Sequence, residues 1–151
     1  EGVAEGSVER IDFRTTLIRR FDKAPIYVAN SVLSDSEIIN FSEMPFRRIR
    51  FHVGLIYQTT PEKILAIRKD IEEYIEKNKN LVDAKDQPST IRVTNFNDSS
   101  IDMLVNCFTK STQWHDFCVA REELLLEIIE IVKRNGSDFA YPTQTIHLEK
   151  D

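Results

Sequence analysis

The chain has 151 residues, 41% hydrophobic and 30% charged, which is enough for one ordinary domain or two small lobes and too apolar to stay disordered. Its formal charge is -5 and no basic run exceeds two residues, so it lacks the basic stripe with which a nucleic-acid binder releases phosphate counterions. No run reaches the roughly 18 apolar residues of a membrane span, no signal peptide is visible, and Glu1 in place of an initiator Met reads as a piece cut from something longer.

The first third reads as short strands. Residues 7–11 form one, and 13–20, rich in β-branched side chains, form another. Asp22-Lys23-Ala24-Pro25 is a turn, after which 25–28 continues as a strand with Pro25 at its first position, where no ladder hydrogen bond is lost. Asn30-Ser31 punctuates, residues 37–41 add a further strand, and no helix is expected before residue 60. From 47 to 57 the alternation is strict. Ile49, Phe51, Val53, Leu55 and Tyr57 share one face and Arg48, Arg50 and His52 the other, the pattern of a half-buried strand.

Thr60-Pro61-Glu62 announces a helix by cap, fixed φ and dipole. Its buried stripe is Ile64, Ile67, Ile71, Tyr74 and Ile75, and it should end near Asn78. A loop over 83–89 leads to a strand at 90–96, a turn at Asn97-Asp98-Ser99 and a strand at 100–109. Ser111-Thr112 opens a second helix running to Arg134, with Trp114, Phe117, Leu124, Leu125, Ile128, Ile131 and Val132 at helical spacing and Gly136 as a left-handed stop. From residue 47 the order is β-α-β-β-α-β, the split pattern of ferredoxin-like domains. The fold class is therefore α+β: a small β lobe over 1–46, a ferredoxin-like lobe over 47–141 and a C-terminal strand over 142–151. In that last segment Gln144, Ile146 and Leu148 share one face, and Thr145, His147 and Glu149 the other.

A search for chemistry finds little. Four glycines, at 2, 6, 54 and 136, cannot build a phosphate loop. Cys107 and Cys118 lack zinc spacing and are expected to be reduced core thiols. His52, His115 and His147 lie far apart, and a pairing of His52 with His147 would still need carboxylates to hold a metal. Ser99 and Ser100 have no local base or oxyanion hole, so Asn97-Asp98-Ser99-Ser100 reads as turn chemistry. Glu72-Glu73 and Glu122-Glu123 are adjacent on helices, point apart and read as solvated faces. Trp114 is expected in the core. No catalytic residue, metal or cofactor is predicted, and the fold alone decides no function.

An ordered series of motifs goes further. Glu5-Gly6-Ser7-Val8-Glu9-Arg10-Ile11-Asp12-Phe13-Arg14-Thr15-Thr16, then Val28-Ala29-Asn30-Ser31, Ile38-Ile39-Asn40-Phe41-Ser42, Arg47-Arg48, Val53-Gly54-Leu55-Ile56-Tyr57 with Thr60-Pro61-Glu62-Lys63-Ile64, Asp98-Ser99-Ser100-Ile101 and Phe139-Ala140-Tyr141-Pro142-Thr143-Gln144-Thr145 follow one another along nearly the whole chain. Together they resemble the soluble region of the small-conductance mechanosensitive channel family. The resemblance marks Gly6, Asn30, Asn40, Phe41 and Pro142 as structural motif positions, with Ala29 standing where the family usually has Pro. It implies an Sm-like β lobe beneath a bacterial inner membrane and a ferredoxin-like lobe, in a cytoplasmic cage of seven identical copies with side portals. The pore helices would lie upstream of this chain, and the whole channel would release ions and small solutes under hypo-osmotic stress. The final strand, Thr143, Gln144, Thr145, Ile146, His147 and Leu148, would join its copies in a parallel barrel, closing edges otherwise left free. The implied partners are other copies and, through the missing helices, the membrane; nucleic acid is not among them. The alternative reading is a soluble ligand- or partner-binding regulatory module.

Overall fold

The structure, a computed structural model of the chain, describes residues 5–142. The chain divides into two compact units, with the boundary between Phe41 and Ser42.

The first unit is an antiparallel meander of β1 (Ser7–Ile11), β2 (Thr15–Arg19) and β3 (Pro25–Ala29), in the order β1-β2-β3. β2 is central, and its Thr16, Leu17 and Ile18 are the buried residues of this unit. The β2–β3 turn closes with Lys23 at φ 72°, its N–H bonded to Arg20 O at 3.0 Å, while Asp22 Oδ1 accepts from Ala24 N–H at 3.0 Å. A left-handed residue after a tight turn suits the twist of a short hairpin. Gly6 is required by close approach: a Cβ there would lie 2.3 Å from Arg19 O.

Three expectations for this region fail. The strand expected over 13–20 starts only at Thr15, because Phe13 and Arg14 belong to the β1–β2 turn, and Phe13 is 94% exposed. A helix does occur before residue 60: α1 (Asn30–Ser34) is one turn long. Ser34 Oγ donates to Asn30 O at 2.9 Å, and Ser36 Oγ, just past the turn, donates to Val32 O at 2.6 Å. Residues 37–41 form no strand, and a 3-10 turn (Phe41–Glu43) follows instead. Ile38 and Ile39 are 70% and 76% exposed, so neither face of this stretch is buried.

The second unit has β4 (Arg47–Leu55), α2 (Pro61–Lys77), β5 (Thr90–Phe96), β6 (Ile101–Thr109) and α3 (Trp114–Arg134). Its sheet is antiparallel in the order β4-β6-β5, with β4 and β6 paired from Arg47↔Thr109 to Leu55↔Ile101. One sheet face, from Ile49, Val53, Ile91, Met103 and Val105, joins Ile67, Ile71 and Ile75 of α2 and Leu124, Ile128 and Ile131 of α3 in a single core. Each such side chain contributes about 1.5–3 kcal/mol of transfer free energy.

α2 begins at Pro61 as its signals imply, although the Thr60 side chain makes no cap bond. α3 begins three residues later than expected. Ser111 Oγ accepts from Gln113 N–H at 3.2 Å and donates to Asp116 at 2.7 Å, which holds 111–113 in a turn outside the helix. The core face of α3 runs through Phe117, Ala120, Leu124, Ile128, Ile131 and Val132. Trp114 is therefore not core; it is 64% exposed, and Cys118 is exposed as well. Gly136 ends the helix at φ 64°, with its N–H on Lys133 O at 2.9 Å and Ser137 N–H on Val132 O at 3.1 Å. Phe139 then forms an antiparallel bridge with Leu55 on the free edge of β4. Among the described residues this bridge is all there is of the sixth element of the expected β-α-β-β-α-β order.

Candidate functional site

Two constellations of motif residues stand out, one in each unit. In the first, Asn30 is a hub. Its Nδ2 donates to Asp12 O at 2.9 Å and to Phe13 O at 3.3 Å, and its Oδ1 accepts from Thr16 Oγ1 at 2.8 Å. Its own N–H bonds Arg14 O at 2.9 Å. One amide side chain thus ties the β1–β2 turn to the junction of β3 and α1, and satisfies the hydroxyl of buried Thr16. Ala29 before it has φ -64° and ψ 135°, so the backbone holds a proline-like φ without proline. At the other end of the sheet Glu9 accepts both Arg19 Nε and Nη2 at 2.8 Å. That fork holds the Glu9 carboxyl below its ordinary pKa and raises the Arg19 guanidinium.

Asn40 and Phe41, motif positions of the same unit, are exposed. The unit also exposes Val8, Ile11, Phe13, Phe21 and Tyr27. Such apolar surface is large for so small a lobe.

In the second unit the constellation surrounds the path of the chain after α3. Ile56 N–H bonds Asp138 O at 3.2 Å and Ala140 N–H bonds Gly54 O at 2.9 Å. The Thr59 and Ser137 hydroxyls share a hydrogen bond of 2.6 Å, and Lys63 Nζ donates to Gly136 O at 2.6 Å. Asp70 accepts from Asn135 Nδ2 at 2.9 Å and from Arg134 Nη2 at 3.2 Å. The Asn135 hydrogen bond, against partial desolvation and with help from Arg134, holds the Asp70 carboxyl below its usual range. Asn97, Asp98, Ser99 and Ser100 line an open groove with Ala140, Tyr141 and Pro142. Asn97-Asp98-Ser99 is the expected turn: Asn97 N–H bonds Ser100 O at 2.8 Å, and Ser100 Oγ is committed to Asp102 at 2.7 Å. The Tyr57 hydroxyl donates to Asn97 O beneath a Tyr57–Phe96 stack at 6.5 Å.

The expected barrel strand, Thr143, Gln144, Thr145, Ile146, His147 and Leu148, lies outside the described residues, and with it any meeting of His52 and His147. His52 and His115 are exposed, and no group of metal-ligating side chains forms among the described residues. Glu72 pairs with Arg92 at 2.9 Å and Glu73 with Lys77 at 3.3 Å, so that pair is a solvated, ion-paired helix face. Burial pushes the Cys107 thiol up to about 12. No described helix is long and apolar enough to cross a membrane.

Sequence reasoning missed the partners of Asn30, the Asp70–Asn135–Arg134 cluster and the stacking of the Arg47 guanidinium 4.9 Å from the Trp114 ring centre. Thr16 and Arg47 were legible as motif positions; Asp70 carried no signal.

Comparison with known proteins names the class these constellations belong to. Residues 2–43 match the beta-domain of the mechanosensitive ion channel and residues 49–139 match the C-terminal domain of the mechanosensitive ion channel MscS. The chain belongs to the MscS family of mechanosensitive ion channels and comprises its beta-domain followed by its C-terminal domain. This is a family of channels, not of enzymes. The low conductance mechanosensitive channel YnaI of Escherichia coli is 37% identical over 96% of this chain and 41% of its own length. The small-conductance mechanosensitive channel MscMJ of Methanocaldococcus jannaschii is 35% identical over 98% of this chain and 41% of its own. The closed-state crystal structure of Helicobacter pylori MscS superposes with a TM-score of 0.76 at 25% identity, over 97% of this chain and 55% of that one. The chain thus spans about two fifths of the length of the curated relatives it matches.

Proposed function

We propose that this chain is the cytoplasmic vestibule of a mechanosensitive channel on the inner face of a bacterial membrane. Pore helices outside this chain open with tension and release ions and small solutes under hypo-osmotic stress, while the vestibule collects and filters what reaches them. In this reading residues 1–46 are an Sm-like β lobe, 47–141 a ferredoxin-like lobe, and 142–151 a strand that meets its copies in a parallel barrel. Seven copies assemble, and the partners are the chain itself and the membrane-embedded part of the channel.

The observation that carries the reading is the consecutive match to both domains of one channel family over nearly the whole chain. Two structural features support it. The β4-β6-β5 order with Phe139 on the outer edge of β4 is the order a ferredoxin-like sheet has when its last strand lies beside its first. The β lobe buries little and exposes Val8, Ile11, Phe13, Phe21 and Tyr27, a surface suited to neighbouring copies.

Light scattering on this chain and on a version ending at Phe139 tests the assembly. A seven-fold mass that is lost on truncation is the expected result. A monomer in both would refute the barrel and leave self-assembly to the membrane helices.

A further inference from the structure

The helices cover one face of the β4-β6-β5 sheet and leave the other open. On that open face β4 presents Arg48, Arg50 and His52, all exposed. The register sets Arg48 opposite Phe108, Arg50 opposite Asn106 and His52 opposite Leu104. The chain as a whole is acidic at -5, yet this strip carries two arginines with no acid beside them.

The pairing of the other cations makes the strip distinct. Arg92 shares this face by register, but its guanidinium is held by Glu72 at 2.9 Å. Arg47 points to the other side, stacked on Trp114 and donating to Thr112 O at 3.0 Å. Arg48 and Arg50 have no ion pair or side-chain hydrogen bond among the described residues. The acid nearest along the face, Asp102, sits opposite Gly54 at the far end, and its carboxylate is engaged by Asn97 at 2.5 Å and Ser100 at 2.7 Å.

Alternate residues on a strand stand about 6.6–6.8 Å apart. Two guanidinium forks carried on residues at that spacing, on one face, repel each other when empty. A single multivalent oxyanion between them relieves the repulsion and matches the fork geometry, which a spherical chloride does not. Asn106, directly across from Arg50, offers an amide donor, and Phe108 and Leu104 stand beside it on the same face, across from Arg48 and His52.

We propose that Arg48 and Arg50 on the open sheet face, flanked by His52 and Asn106, form a binding site for small phosphate-type anions. The site belongs to the chain's own surface and does not depend on assembly, so it stands or falls apart from the vestibule reading. Within a vestibule it would make phosphate-bearing solutes linger at the wall.

The test is a phosphorus NMR titration of inorganic pyrophosphate against the full chain at constant ionic strength, read as line broadening. Saturable broadening is expected. The double variant R48Q/R50Q should weaken the apparent affinity about tenfold or more, the scale of one lost charge-assisted pair of hydrogen bonds. R48K/R50K, which keeps the charge and loses the forks, should fall between. K79Q/K110Q, which removes cations elsewhere on the same unit, should leave the affinity unchanged. Both arginines are exposed, and an unchanged circular dichroism melt shows that the variants fold. Absence of saturation, an unchanged R48Q/R50Q, or an equal loss in K79Q/K110Q each overturns the proposal.

Discussion

Replacing Ala29 by proline should stabilise the β lobe. Ala29 already has φ -64°, within the range a pyrrolidine ring imposes, and it is exposed, so the ring meets solvent. Its N–H is not needed by the sheet. Asn30 N–H bonds Arg14 O and Arg20 N–H bonds Ala24 O, so even-numbered residues of β3 take the ladder bonds, and Ala29, paired with Thr15, does not. Pro25 already occupies the same parity, opposite Arg19. Val28 ahead of it is extended, as a residue before proline must be. The folded lobe keeps all its native interactions, so the gain comes from the unfolded chain and amounts to about 0.4–1 kcal/mol. Val28→Pro, one position away, would break a ladder bond to Thr16 and should destabilise by more than Ala29→Pro gains. Urea unfolding of both variants, followed by circular dichroism, reads the midpoint at unchanged slope. If Ala29→Pro lowers the midpoint as Val28→Pro does, the assignment of hydrogen-bonding parity in β3 is wrong.

Other outcomes follow from the same geometry. Asn30→Asp removes the donors to Asp12 O and Phe13 O and sets a carboxylate against both carbonyls, so urea unfolding should show a loss of about 2 kcal/mol. Asp70→Asn tests linkage: the native pKa is depressed, so the stability this carboxylate contributes is present above the unfolded value and is lost as pH falls through the native one. The variant should be less stable than the parent by about 1 kcal/mol at neutral pH, discounted for partial exposure, and the two melting curves should converge in acid. Thiol titration should find Cys118 reactive in the native chain and Cys107, 1% exposed, reactive only after unfolding.

The parts of the fold legible in the sequence are those where one periodicity runs long enough to bury a face. β4 alternates over Arg47–Leu55, and α2 repeats Ile67, Ile71 and Ile75, each because a single core demands it. The first unit gives no such demand. All of β1 is exposed, so nothing in its pattern reports its pairing, and the adjacent Ile38 and Ile39 look strand-like in composition while lying outside any sheet. Trp114 and Cys118 fail for a different reason. They precede or flank the stripe by less than a turn, and the Ser111 hydrogen bonds to Gln113 N–H and Asp116 hold the residues before Trp114 outside the helix. The candidate site was visible as motifs and not as interactions. Asn30 reads as punctuation, yet its four bonds join segments that are far apart along the chain. The arginine strip was legible as one face of an alternating strand, while the lack of acids paired with it was not, because a sum of charge over both units erases a local sign.

The bridge beside β4 also has a mechanical meaning. A load entering the chain at Pro142 passes to the edge of β4 through two backbone hydrogen bonds, Ala140 N–H to Gly54 O and Ile56 N–H to Asp138 O, with the Ser137–Thr59 and Gly136–Lys63 hydrogen bonds behind them. A pull along the β4 axis shears both backbone bonds at once, so they resist together. A pull across that axis opens them in turn, Ala140 first. The same few bonds therefore make the junction stiff in one direction and yielding in the other.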